Sequence, residues 1–325
     1  MENNLIWTEA LRPKTVNEII SHKHQKYVFN KYLKNKMIPH LLLHGPPGVG
    51  KTSIITAFAR ELYGKSYEMM VLEINASEER GIEIVRTKMR NFVMVKSNFY
   101  QDSQISFKLV ILDEADSMTT EAQSILRKVI ENNTYNARFC LICNYYNQLN
   151  DAIVSRCTIM SFSSLNYKNI YDNISRICVP NNIAVSKCGM DMLMKLSKGD
   201  FRKFINILQS ISYVSKDINE DVIIKYHGYP SKTDICKIYD LLHFTNIADS
   251  FYCIRHIIVS KSYSFADIIT EIYELYKNDF LLGFVRQDKF IKVLINMRNI
   301  EINISNIVNV EIQISGLVSI FYIDK

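Results

Sequence analysis

The chain has 325 residues, 48% of them apolar, a length and content that suit two or three domains built on real cores. Its formal charge of +6 permits an acidic partner such as nucleic acid without demanding one. Seven cysteines in no regular framework suit a reducing intracellular compartment, the opening MENNLIWTEA lacks the basic and apolar regions of a secretory signal, and no uninterrupted apolar stretch reaches the roughly 18 residues of a membrane helix.

Residues 38–163 alternate short apolar runs with longer helical patterns. The runs are 41–44, 71–75, 109–112, 139–143 and 158–162, which reads as βαβ units and a five-stranded parallel sheet flanked by helices. The long gap between the second and third runs is mostly a helical stretch over 81–95. After Phe162 the strand-like runs stop. Met190, Leu193, Met194 and Ser197, then Phe204, Ile207, Leu208 and Ile211, recur at helical spacing. Gly228 and Pro230 punctuate the chain, and helical spacing resumes from Thr233 to the end, as in Ile268, Ile272, Leu275 and Tyr276. The expected layout is an α/β domain over 1–163, a helical domain over 164–228 and a second helical domain over 229–325.

The first apolar run leads into Gly45-Pro46-Pro47-Gly48-Val49-Gly50-Lys51-Thr52, a complete G-x-x-x-x-G-K-[ST]. A strand precedes it, and a helix beginning at Ser53 and ending at Gly64 follows. Glycines let backbone N–H groups approach phosphates closely, and the helix N-terminus adds its positive end. Lys51 is expected to reach the β- and γ-phosphates, and Thr52 to ligate Mg²⁺.

In "KLVILDEAD", Asp113 stands at the carboxyl end of a buried strand, where open α/β sheets bind their ligands. It is the candidate for the Mg²⁺ side. Glu114 beside it is placed to orient and deprotonate a water in line with the γ-phosphate, which points to ATP hydrolysis rather than phosphoryl transfer to a small molecule. On the next strand Asn144 ends the apolar run and is a candidate for positioning that water. Cys140 and Cys143 form a C-x-x-C, but odd spacing in a strand sends the two sulfurs to opposite faces, so they read as core. Arg156, just before the last strand, offers a fixed positive charge for a γ-phosphate. Asp200 reads as a helix N-cap with Arg202 in the first turn, where a cation suits the dipole poorly and a phosphate contact explains it better.

Together these residues resemble the AAA+ ATPases, and specifically the small subunits of replication factor C, the sliding-clamp loader. The likeness runs from "WTEALRPKT" (7–15) through "HLLLHGPPGVGKTS", "VLEINASEERGIEIVR", "LVILDEADSMTTEAQSILRKVIE", "RFCLICNYYNQL" and Ser155-Arg156-Cys157 to "GDFRKFINILQS". Within the family, "RFCLICNY" and "EALRPKTVNEIISH" look closest to one branch of these small subunits. The resemblance implies an AAA+ P-loop domain followed by an all-helical lid and an all-helical collar. It implies Arg12, Pro13 and Ile20 near the adenine, Asn144 as first sensor and Arg202 as second. It implies that Arg156 acts in trans, in the ATP site of a neighbouring subunit. The collar would hold a heteropentameric ring of replication factor C subunits that opens the PCNA clamp and loads it on primer–template DNA in the nucleus, with hydrolysis in the assembled complex. A non-hydrolysing scaffold subunit and a related AAA+ DNA helicase are the alternative readings. Val49 stands where the family has Thr, and Glu78-Glu79-Arg80-Gly81 replaces Asp-Asp-Arg-Gly.

Clamp loaders surround DNA with a spiral of helices, and "RGIEIVRTKMRNFVMVK" supplies Arg80, Arg86, Lys88, Arg90 and Lys96 against Glu83. Arg86 and Arg90 at i,i+4 share a helical face, suited to successive backbone phosphates without sequence preference. A further helix over 118–129, with Thr119 or Thr120 near its N-cap, carries Arg127 and Lys128 as candidates for coupling DNA to Glu114. Clamp contact is expected around 82–99.

Overall fold

The computed structural model describes residues 6–77, 85–94, 105, 107–165, 167–304 and 309–323. The chain divides into two compact units, 1–185 with 190–217, and 186–189 with 218–325.

The first unit is built on a parallel sheet of five strands: β1 (Leu41–His44), β2 (Val71–Asn75), β3 (Lys108–Asp113), β4 (Ala137–Cys143) and β5 (Thr158–Ser161), in the order β2-β3-β4-β1-β5. Each strand was expected, and two are longer than their apolar runs. β3 begins at Lys108, a buried residue whose ammonium donates to the Phe92 carbonyl at 2.7 Å, so a charge that reads as a strand boundary is accommodated inside. Apolar side chains cover both faces, which is why these strands read as continuous runs. Leu41, Leu43, Leu109, Ile111, Cys140 and Ile142 pack on one face, and Leu42, Val110, Leu112, Phe139, Leu141 and Cys143 on the other. The two cysteines therefore lie in opposite core layers.

The helix Lys51–Tyr63 covers the first layer with Ile54, Ile55 and Phe58 and stops at Gly64, whose φ of 51° few other residues adopt. The helix Thr120–Asn132 covers the second, burying Ala122, Leu126, Val129 and Ile130 at one-face spacing, with the Thr119 hydroxyl accepting the Ala122 N–H at its start. Of the helix expected over 81–95, the described part is a π-helical turn, Val85–Met89, running into Arg90–Met94. Its Met89 and Val93 are buried against the second layer. Among the described residues past β5, regular structure is helical apart from two-residue strands at Ala184–Val185 and Asp217–Ile218, which apolar spacing did not reveal. Phe201–Ser212 is capped as expected, Asp200 accepting the Lys203 N–H at 3.1 Å.

The second unit is helical: Glu220–His227, Lys232–Phe244, Ile247–Lys261, Phe265–Leu281, Gln287–Ile304 and Val310–Ile323. Its core joins Ile238, Ile254, Ile268, Ile272, Tyr276, Val293 and Leu317. Among the described residues no helix is long and apolar enough to cross a membrane.

One buried carboxylate stabilises this unit. Asp234, 4% exposed, accepts from Lys261 Nζ at 2.6 Å and from the Ser231 and Tyr263 hydroxyls at 2.7 Å each. Burial alone would raise its pKa; the hydrogen bonds from Lys261, Ser231 and Tyr263 outweigh it and bring the carboxyl down to about 2. The folded value lies below the unfolded one, so the contribution is complete above the ordinary carboxylate range and is lost as pH falls through about 2. Replacing Asp234 with Asn is expected to destabilise the second unit by on the order of 2 kcal/mol at neutral pH. Urea melts of the full chain should show the gap between variant and parent closing between about pH 4 and pH 2; a gap independent of pH would refute this assignment.

Candidate functional site

The site lies at the carboxyl end of the sheet, and strand order explains its membership. β4 sits between β1 and β3, so the loop after β1, the carboxylates after β3 and the polar residue after β4 all emerge side by side.

The loop after β1 is held open by backbone geometry. Gly45, Gly48 and Gly50 have φ of 145°, 69° and 97°. A Cβ on Gly45 would lie 2.1 Å from the Phe162 carbonyl oxygen, and one on Gly48 would lie 1.7 Å from Asp200 Oδ1. The Phe201 N–H also donates to the Gly48 carbonyl at 3.2 Å, so the capped start of the helix Phe201–Ser212 rests against the loop itself.

Lys51, 7% exposed, donates to the carbonyls of Gly45 at 2.5 Å and Pro46 at 2.8 Å, and to Asn144 Oδ1 at 2.9 Å. Burial pulls its pKa below the usual lysine value, and the negative charges around it, Asp113 first, oppose that shift. The Thr52 hydroxyl donates to Asp113 Oδ2 at 2.7 Å. A hydroxyl and a carboxylate meeting at the head of the helix are the hard oxygen donors that suit Mg²⁺.

Glu114 is one of six non-glycine residues described with positive φ, at 53°. Its N–H donates to Asp113 Oδ1 at 2.9 Å and its carbonyl accepts the Ser117 N–H at 2.9 Å, which fixes this uncommon backbone turn. Asp116 in the same turn accepts the N–H groups of Asn144 at 2.9 Å and Tyr145 at 3.1 Å. It thereby ties the end of β4 to the carboxylate loop. Sequence reasoning missed Asp116, whose signal was a further carboxylate three residues beyond Asp113.

Lys51, Thr52, Asp113 and Glu114 line one cleft of about 200 Å³. Its walls include Pro47, Gly48, Val49, Gly50, Lys51, Thr52 and Ser53, with Asp113, Glu114 and Asn144 across from them. Arg12, Pro13 and Ile20 line it from the N-terminal segment and Arg202 from the helix Phe201–Ser212. Leu11, Ile19, Leu165 and Ile205, not expected from sequence, add apolar wall suited to a planar base. Gly45 and Pro46 contribute through their carbonyls to Lys51 rather than as lining. Cys143 also faces the cleft, and burial pushes its thiol up to about 12, so it stays a neutral wall residue.

Arg156 does not line this cleft. It ends a short turn after Asp151–Val154, donating to the Ala152 carbonyl at 2.6 Å and pairing with Glu131 at 2.5 Å. Of the basic stripe, Lys88 and Arg90 are exposed on the segment 85–94, and Arg86 is described in its backbone. Arg80 and Lys96 lie outside the described residues, as do 82–84 and 95–99 of the stretch expected to meet a clamp. Arg127 and Lys128 are exposed, Arg127 pairing with Glu131 at 3.0 Å rather than with Glu114.

Comparison with known proteins agrees with this geometry. Residues 41–165 match the family model for the ATPase family associated with various cellular activities, and residues 230–319 match the replication factor C C-terminal domain. The chain is 40% identical over 304 residues to a probable replication factor C subunit 5 of Dictyostelium discoideum, covering 93% of this chain and 86% of that protein. It is 41% identical over 271 residues to human replication factor C subunit 5, covering 83% and 78%. To replication factor C subunit 3 of Saccharomyces cerevisiae it is 35% identical over 309 residues, covering 94% and 89%. A solved Thermotoga maritima RuvB shares the fold at TM-score 0.54 and 17% identity, over 81% of this chain and 89% of that one.

Proposed function

The chain belongs to the replication factor C subunits and is a clamp-loader ATPase subunit of AAA build; from that premise we propose how its residues divide the work. ATP enters the cleft with its base against Arg12, Pro13 and Ile20 and its phosphates along the loop 45–52. Lys51 neutralises the β- and γ-phosphates, and the Thr52 hydroxyl and Asp113 hold Mg²⁺, which when bound spreads the charge developing on the phosphates. Glu114 takes a proton from a water held with the help of Asn144. The water oxygen bonds to the γ-phosphorus as the bond to the β–γ bridging oxygen breaks, leaving ADP and phosphate.

Arg202 reports the γ-phosphate to a lid over 164–228, the α/β domain being 1–163. Residues 229–325 act as the collar of a heteropentameric ring with other replication factor C subunits. Arg156 completes the site of a neighbour. Arg80, Arg86, Lys88 and Arg90 track the backbone of primer–template DNA, and the ring opens and loads the PCNA clamp in nuclear replication and repair. The observation that carries the reading is the convergence of Lys51, Asp113, Glu114, Asn144 and Arg202 on one cleft. The scaffold and helicase alternatives are not favoured.

The test is reconstitution with four partner subunits, PCNA and circular primed DNA. The expected result is ATP-dependent retention of the clamp on DNA that is lost when this subunit is omitted. Clamp-independent strand separation, or loading unaffected by its omission, would overturn the proposal.

A further inference from the structure

Arg156 is held by two acceptors of its own chain. Nη1 donates to the Ala152 carbonyl at 2.6 Å, and Nη2 lies 2.5 Å from Glu131 Oε1. The same oxygen takes Arg127 Nε at 3.0 Å. The side chains of Arg156 and Glu131 remain 35% and 34% exposed, so the cluster lies at the surface of this chain.

An exposed ion pair of this kind adds little to stability. Its geometry has another consequence. A long side chain that must meet a phosphate on another molecule loses rotamer freedom on contact, and two anchors at its head remove most of that freedom beforehand. The charges fit the same role. An Arg156–Glu131 pair alone is neutral and draws phosphate weakly, whereas Arg127 on the same carboxylate leaves the cluster one positive charge in excess.

We propose that Glu131 is a positioning residue for the neighbouring subunit's ATP hydrolysis, aiming Arg156 through the shared Arg127–Glu131–Arg156 cluster. The proposal rests on the trans role given to Arg156 above. Glu131 acts on kcat next door and not on nucleotide affinity, because it orients a charge that is needed as the γ-phosphate leaves.

The experiment uses the reconstituted ring and reads single-turnover hydrolysis at the site facing Arg156, with ATP affinity and ring assembly measured alongside. Glu131→Gln is expected to lower the rate about 10- to 100-fold, the cost of a misplaced reacting geometry, while affinity and assembly stay unchanged. Glu131→Asp keeps the charge but retracts it and is expected to fall between; it carries the test should Glu131→Gln fail to assemble. Glu131→Gln placed on Arg156→Ala should add no further loss. A wild-type or faster rate in Glu131→Gln, with Arg156→Ala slow, overturns the positioning role and leaves the trans reading standing. A wild-type rate in Arg156→Ala overturns the trans reading itself. Additive losses in the double variant would mean that Glu131 acts elsewhere, and would also overturn the proposal.

Discussion

Replacing Glu114 with Gln is expected to slow hydrolysis at this chain's own site by about 10²–10⁴-fold while ATP still binds. The amide keeps the shape of the carboxylate and loses its ability to take the proton from water. Nothing that grips the triphosphate changes. The loop glycines, Lys51 with its three acceptors, and the Thr52–Asp113 contact are independent of the Glu114 side chain. The backbone turn also survives, because it is held by the Glu114 N–H and carbonyl. The measurement is single-turnover hydrolysis in the ring, with the phosphate-loop lysines of the other subunits replaced, beside nucleotide titration. Retained turnover would remove Glu114 from the chemistry; lost binding would make it a ligand contact instead.

Gly45→Ala is expected to be the most damaging single methyl in the phosphate loop. Its Cβ would meet the Phe162 carbonyl oxygen at 2.1 Å, and that atom is backbone, with no flexible side chain to swing away. The φ of 145° adds conformational strain for any residue with a Cβ. Strain and overpacking together place the loss of stability in the first unit at on the order of 3 kcal/mol or more. The displaced carbonyl of Gly45 would also loosen Lys51, so nucleotide binding should weaken in parallel. Gly64→Ala is the control. Its φ of 51° and ψ of −120° also strain a side chain, but its Cβ would meet nothing within 4 Å, so it should cost on the order of 1–3 kcal/mol and leave binding intact. Denaturant melts and nucleotide titrations of the two variants separate the effects; equal losses would show that the Phe162 contact relaxes freely.

The sheet and the phosphate loop were legible because their signals are local. Doubly buried parallel strands read as apolar runs, and the loop is a contiguous motif with its strand and helix attached. Which polar tips meet was legible only as far as strand adjacency could be guessed, and Asn144 beside Asp113 was such a case. Asp116 escaped because its partners are the N–H groups of Asn144 and Tyr145, 28 and 29 residues away, and no residue type in the segment advertises them. Glu131 escaped for the same reason: its i,i+4 spacing to Arg127 reads as a solvated helix pair, and the arrival of Arg156 is a tertiary event. Apolar spacing announced a helix over 81–95 but not the π-helical turn Val85–Met89 within it, since a change of winding leaves the buried Met89 and Val93 still inside.

The segment before the sheet has a mechanical consequence. The Trp7 N–H donates to Gln209 Oε1 at 3.0 Å, which fastens the short helix Trp7–Ala10 to the helix Phe201–Ser212. Leu11, Arg12 and Pro13 on one side of that bond, and Phe201, Arg202 and Ile205 on the other, are thus parts of one jaw, and Lys51, Asp113 and Asn144 form the anvil. With the base against Arg12 and the γ-phosphate at Arg202, as proposed above, a shift of the helix Phe201–Ser212 is expected to loosen both ends of the nucleotide together rather than in turn.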